Sequence, residues 1–274
     1  MKLIKSSKLE IMPGRSINAP LPSDEAENVS PFILLHHFGP FEVNYLNKFE
    51  FEPHPHRGFE AVTILFDGEM EHKDSTGSHG KLSGGDVQWM TAGSGVLHEE
   101  KQAAGFLERG GTIHGIQLWI NLPKAKKMTT PGYQDISASA IPAVVNGSIT
   151  ERVIAGIYKG VSGPAKTNSP MNVVHGIMPA DSESKLEIPT GFNSCLYITK
   201  GKLTVNGTEA GESDLLLLDE TAELKAESDC EYLFLTGEPI NEPVVQYGPF
   251  VMNTMGEIKQ AFLDYREGKF GTVN

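Results

Sequence analysis

The sequence predicts an all-β chain built as two copies of one β-barrel. Three observations carry this. Short apolar segments such as AVTILF, DVQWM, GIQLWINL, CLYITK, KLTV and DLLLLD recur along the chain, often flanked by Gly, Pro, Asp or Asn. The 29 glycines and 17 prolines are scattered rather than clustered, which marks many turns between short strands. One segment also echoes another. GFEAVTILFDG (58–68) aligns without a gap on GFNSCLYITKG (191–201), placing Gly58, Phe59 and Gly68 on Gly191, Phe192 and Gly201.

The elements follow in order. After the 58–68 strand, GDVQWM (85–90) meets SDLLLL (213–218) if the second copy has a shorter loop. The boundary falls near PGYQDIS (131–137), so we expect an N-terminal domain over 1–132 and a C-terminal one over 133–274. One stretch breaks the β pattern. In NTMGEIKQAFLDYREGKFG, Thr254 and Glu257 form a T-x-x-E capping box. Met255, Ile258, Ala261, Phe262 and Tyr265 recur at helical spacing, and Gly268 stands where a C-cap belongs. This predicts a short C-terminal helix over 254–267.

Composition narrows the function. The 274 residues, 39% of them hydrophobic, can bury a sizeable core. The formal charge of −12 argues against a general phosphate-backbone binder, so no direct nucleic-acid contact is expected. The two cysteines, Cys195 and Cys230, make neither a disulfide framework nor a CxxC pair. A reduced, cytoplasmic setting is expected. MKLIKSSKLE does not read as a secretory leader, and no apolar run approaches the roughly 18 residues of a membrane helix.

The chemistry concentrates in two short stretches. FEPHPHRGFE (51–60) holds His54 and His56, and GSGVLHEE (93–100) ends in His98, Glu99 and Glu100. On a strand, residues i and i+2 share a face about 7 Å apart, close enough for two imidazoles to converge on one ion at about 2.1 Å each. The same parity puts His98 and Glu100 on one face and Glu99 on the other. Three neutral nitrogens and one carboxylate suit Fe(II), Mn, Ni, Cu or Zn rather than Ca or Mg. Four ligands on a six-coordinate ion leave two positions for small molecules. Glu60 shares parity with His54 and His56 but reaches the ion only if the chain turns near Gly58, so it ranks second. In the second copy His54 faces Glu187, His56 faces Pro189, His98 faces Ala226 and Glu100 faces Ser228, so every candidate ligand is missing there.

HxH with a following Glu and Gly, and a Gly-rich approach to a lone His, look like the two cupin motifs. More specifically, PFILLHHFGP, HPHRGFEAVTILFDGEMEHKDS, GGDVQWMTAGSGVLHEE and GIQLWINLP resemble the pirin family, as do GPA (163–165), QYGPFVMNT and DYREGKFG. The resemblance runs over nearly the whole chain. It implies a bicupin, two antiparallel jelly-roll β-barrels with one metal in the N-terminal barrel. It implies ligation by the HPH and H-x-E pairs, here His54, His56, His98 and Glu100, and so demotes Glu60. His36 departs from the pattern, since many relatives carry an acidic residue there.

The resemblance also implies an activity. The expectation is a quercetin 2,3-dioxygenase-like oxidoreductase acting on a flavonol and dioxygen. Its cofactor would be one divalent transition metal, Fe(II) first and Mn, Ni, Co, Cu or Zn as alternatives. Glu100 would be both ligand and catalytic base. The other reading is a redox-responsive metal protein that regulates a protein partner, a transcription factor or a metabolic enzyme. A monomer with no membrane attachment is expected in either case.

Other residues invite plainer readings. His37, His114 and His175 read as structural histidines, and the alternative for His114, with Gln117, is to support the pocket. His72 and His79 fall in a polar stretch and read as solvated. Trp89 and Met90 read as core with some claim to a pocket wall. Arg57 faces either an anionic substrate or a neighbouring carboxylate. Gly84-Gly85 and Gly93-Ser94-Gly95 read as strand turns, since no helix signature or Lys-Ser/Thr follows them. There is no G-x-S-x-G, and neither Cys has a catalytic context.

Overall fold

Side chains on a strand alternate between faces, and the segment carrying the second motif shows this plainly. Along Val96–Gln102 the residues Val96, His98, Glu100 and Gln102 are buried, while Leu97, Glu99 and Lys101 are only partly so. That alternation repeats through a computed structural model that describes residues 1–219 and 221–273.

The chain divides into two compact units. One comprises Phe38–Ala138 with Ile240–Asn274, the other Met1–His37 with Ser139–Pro239. The division between 138 and 139 lies near the boundary read from the sequence, but each end of the chain belongs with the other half.

The unit built on 38–138 carries strands in the order Gly132–Ile136, Val87–Thr91, Phe59–Asp67, Gly111–Asn121. A four-stranded sheet runs Phe51–His56, Val96–Gln102, Glu69–Asp74, His79–Ser83. The other unit repeats both orders. Its larger sheet begins Lys2–Lys5, Asp214–Leu218, Asn193–Lys200, Cys230–Gly237, and its four-stranded sheet runs Glu183–Leu186, Ala222–Ala226, Lys202–Val205, Thr208–Gly211. The echo in the sequence is thus a duplicated topology. Only the outer strand differs in origin: the N-terminal residues supply it in one unit and the residues after 131 in the other.

The duplicated glycines have a common cause. Gly68 and Gly201 both take positive φ, 100° and 80°. A Cβ at Gly68 would lie 2.8 Å from the Thr112 carbonyl oxygen, and one at Gly201 would lie 2.3 Å from that of Asp229. Each turn presses against the chain entering the neighbouring long strand, so only glycine fits. Gly85 and its counterpart Ser213 also share positive φ, 93° and 70°.

The inward rows differ in chemistry. In the second unit Leu186, Ala222, Leu224 and Ala226 join Leu196, Ile198, Leu203, Tyr232 and Phe234 in one apolar cluster. Those residues fill the space that polar side chains occupy in the first unit.

The C-terminal helix runs Met255–Arg266. Thr254 caps it by accepting from the Glu257 N–H, and the Glu257 carboxylate accepts from the Thr254 N–H at 2.8 Å. Ile258 and Ala261 are buried as expected, but Met255 and Tyr265 of the expected apolar stripe are exposed. A shorter helix, Ala104–Arg109, was not expected from the sequence. Among the described residues no helix is long and apolar enough to cross a membrane.

Candidate metal centre

The Phe51–His56 strand lies at the edge of its four-stranded sheet. An edge tolerates Pro53 and Pro55, which have no N–H to give to a ladder. Its partner, Val96–Gln102, runs antiparallel with Val96 opposite His56 and His98 opposite His54. Residues directly opposite share a face, so the register gathers all three histidines on one side. The ladder then slips, and Glu100 pairs with Phe51.

The rings converge. Centroids are 4.3 Å apart for His54–His98, 4.8 Å for His54–His56 and 4.9 Å for His56–His98. One ring nitrogen from each lies within 4.8 Å of the others. Hydrogen bonds fix which nitrogens are free. His54 Nδ1 is 2.9 Å from the Glu52 carbonyl oxygen, and His56 Nδ1 is 3.4 Å from that of Pro249. Both carbonyls require a donor, so these rings carry the proton on Nδ1 and leave Nε2 as a lone-pair donor. Burial pulls His56 down to about 3, with help from His54. Burial, and then the neighbouring histidines, hold His98 well below the usual imidazole range. Both rings are therefore neutral near pH 7, as metal ligation requires.

The trio fits a metal ion on its own geometry. Both nitrogens of His98 are buried without a hydrogen-bond partner. Buried polar atoms are rarely left so, and an ion among three imidazoles gives one of them a partner.

Glu100 stands beside the trio rather than within the 4.8 Å set. It is buried on the same inward row, and its Oε1 accepts from Thr63 Oγ1 at 3.3 Å. Thr63 Oγ1 in turn accepts from Gln117 Nε2 at 3.2 Å. Burial raises the Glu100 pKa, opposed by the neighbouring His54 and by the Thr63 hydrogen bond. Gln117 thus supports the carboxylate through Thr63. Glu99 points outward and pairs with Lys101 at 2.8 Å.

Glu60 faces elsewhere. It is three residues before Thr63 on the same strand, hence on the opposite face, and its Oε1 accepts from Thr91 Oγ1 at 2.8 Å. Arg57 is not free to meet a substrate. Its Nε donates to the Ser94 carbonyl, one terminal NH donates to Asp264 at 2.8 Å, and the guanidinium lies over Phe270.

His37 is structural, its Nδ1 lying 3.0 Å from Tyr197 Oη, and His175 lies 3.3 Å from Glu231. His72 corrects its expectation. It is buried on Glu69–Asp74, stacked on Tyr133 with centroids 4.5 Å apart and opposite Glu100 in the register. Trp89 and Met90 are core. Instead, Trp119 and Phe59 flank His56, with centroids 5.2 and 5.0 Å from its ring. Phe51 stands 6.3 Å from His54. The only sequence signal for Trp119 was its parity with Gln117.

Two repeated β units, one lined by three imidazoles and a buried carboxylate and the other filled with apolar side chains, define a bicupin with, among the described residues, a single candidate metal centre. The chain belongs to the pirin family: the Pirin model matches residues 14–120 and the Pirin C-terminal cupin domain model matches 173–271. A Pseudomonas aeruginosa protein named provisionally as a quercetin 2,3-dioxygenase is 42% identical over 250 residues, covering 89% of this chain and 87% of its own. Mouse pirin is 36% identical, covering 94% of this chain and 87% of its own. The crystal structure of quercetin 2,3-dioxygenase from Acinetobacter baumannii superposes with a TM-score of 0.93 at 39% identity, over 100% of this chain and 98% of that one.

Proposed function

We propose that this chain is a metal-dependent dioxygenase that opens the heterocycle of flavonols. The observation that carries the proposal is three imidazoles converging beside a buried carboxylate whose pKa burial raises. The names of two close relatives point to the same reaction. His54, His56, His98 and Glu100 would hold the ion, with Fe(II) as first choice. A divalent transition ion bound there supplies Lewis acidity and an electron path between substrate and dioxygen.

The chain's own groups supply the rest. The imidazoles donate nitrogen lone pairs without adding charge. Glu100 takes the proton of the flavonol hydroxyl as substrate enters, and burial strengthens that role. Thr63, steadied by Gln117, keeps the carboxylate turned toward its place as it gains and loses that proton. The ring of Trp119, partly exposed, and that of Phe59 present apolar surface beside His56 and exclude water from the reacting face. The heterocycle opens with uptake of both oxygen atoms and loss of carbon monoxide.

The test is direct. Apo-protein is loaded in turn with Fe(II), Mn, Co, Ni or Cu, and quercetin absorbance is followed with and without dioxygen. Oxygen-dependent turnover that disappears in His56→Ala and Glu100→Ala supports the proposal. Tight metal binding with no turnover on any flavonol would replace it with the partner-regulating role.

A further inference from the structure

We infer that Trp119 is the wall on which the substrate's fused rings stack, and that it selects extended aromatic chelators over compact ones. The inference rests on the flavonol reading and names the residue that sets substrate class within it.

The placement follows from register. Trp119 lies opposite Ala61, two residues from the Gln117–Thr63 pair that reaches Glu100. Alternation puts Gln117 and Trp119 on one face, the face that carries Thr63 and Ala61 on the neighbouring strand. Trp119 therefore belongs to the row that faces the candidate ligands. Its ring meets His56 edge to face at 5.2 Å and 71°, and lies over Phe59 at 4.1 Å and 31°.

Exposure separates the two aromatics. Phe59 is fully buried, whereas Trp119 is only partly so. The indole is thus the part of the pair that a bound molecule can touch. Ala61, directly opposite, contributes only a methyl group to that face. A molecule held beside His56 by a hydroxyl–carbonyl pair meets an aromatic surface on that side. Aromatic surfaces reward offset or edge contact with further rings, and a single-ring chelator has none beyond the ring that carries its chelating pair. Trp89, the only other tryptophan, is fully buried on the opposite row against Val62 and cannot play this part.

The test uses Zn(II)-loaded protein without oxygen, so that binding is read apart from turnover. Calorimetry compares quercetin with maltol, a single-ring hydroxypyranone with the same chelating pair, in wild type, Trp119→Phe and Trp119→Leu. Trp119→Leu is expected to weaken quercetin by roughly 3- to 10-fold and to leave maltol and zinc affinity unchanged, while Trp119→Phe retains most quercetin binding. Quercetin bound equally by wild type and Trp119→Leu overturns the inference. So does an equal loss of quercetin and maltol, which would mean that the indole only props His56. Wild type that binds maltol but no flavonol sinks the flavonol reading and this inference together. Flavonol binding insensitive to residue 119 sinks only the second.

Discussion

His98 lies directly opposite His54 in the antiparallel ladder, with ring centroids 4.3 Å apart, and neither of its own nitrogens has a partner. His54 and His56 each spend one nitrogen on a backbone carbonyl, so His98 is the ring whose hydrogen bonding is least settled without an ion. His98→Ala removes one of three nitrogen donors while leaving the strand intact. Competition with a chromophoric chelator is expected to show metal affinity lower by on the order of 100-fold or more, with little change in the melting of the metal-free protein. Unchanged affinity would place the ion elsewhere.

Glu100 has a different signature. Glu100→Gln keeps the shape and the Thr63 contact but loses the negative charge. With metal content matched to wild type, flavonol turnover is expected to fall by roughly 100-fold or more, as for loss of a general base. Thr63→Val removes only the hydrogen bond at 3.3 Å and should cost much less. Equal turnover by Glu100→Gln and wild type at equal occupancy would remove the carboxylate from the chemistry.

His36 gives a pH dependence separate from the candidate ligands. Burial pulls it down to about 4 from the ordinary 6.5. The unfolded chain then binds a proton between these values and the folded chain does not, so stability is lost as pH falls from 6.5 through 4. The metal-free protein should melt at progressively lower temperature over that window. The difference between wild type and His36→Gln isolates this ring from the carboxylates that also titrate in acid. Parallel curves for the two proteins would show that His36 is solvated.

Much of this was legible because short-range rules govern it. Parity on a strand placed His54 with His56 and His98 with Glu100, and turned Glu99 outward. The T-x-x-E box fixed the start of the C-terminal helix at Thr254. The repeat survived because each turn has the same steric need, met by Gly68 and Gly201 and by left-handed backbone at Gly85 and Ser213. Long-range pairing was not legible. Nothing in MKLIKSSKLE says that Lys2–Lys5 pairs with Asp214–Leu218, since a strand's own pattern does not name its neighbour. His72 hid for the opposite reason: EMEHKD reads as polar loop, yet it forms a strand whose inward row is Met70, His72 and Asp74. Glu60 was weighed by its spacing from the histidines, but its strand turned it toward Thr91.

Lys127 ties down the backbone beside the candidate centre. Its side chain is buried, and Nζ donates to the Gly58 carbonyl at 2.8 Å, the Asn121 Oδ1 at 2.7 Å and the Val251 carbonyl at 2.8 Å. Burial draws its pKa down to about 8, so the ammonium still carries its proton at pH 7 and can serve all three acceptors. Lys127→Met fills much the same volume but leaves three buried acceptors without that donor, at about 1 kcal/mol or more each. The melting temperature is expected to fall by roughly 5–10 °C. Gly58 follows His56 by two residues, so metal affinity should fall as well, by less than in His98→Ala. A Lys127→Met protein with wild-type melting and wild-type metal affinity would show that the ammonium neither anchors the strand exit nor holds the centre's geometry.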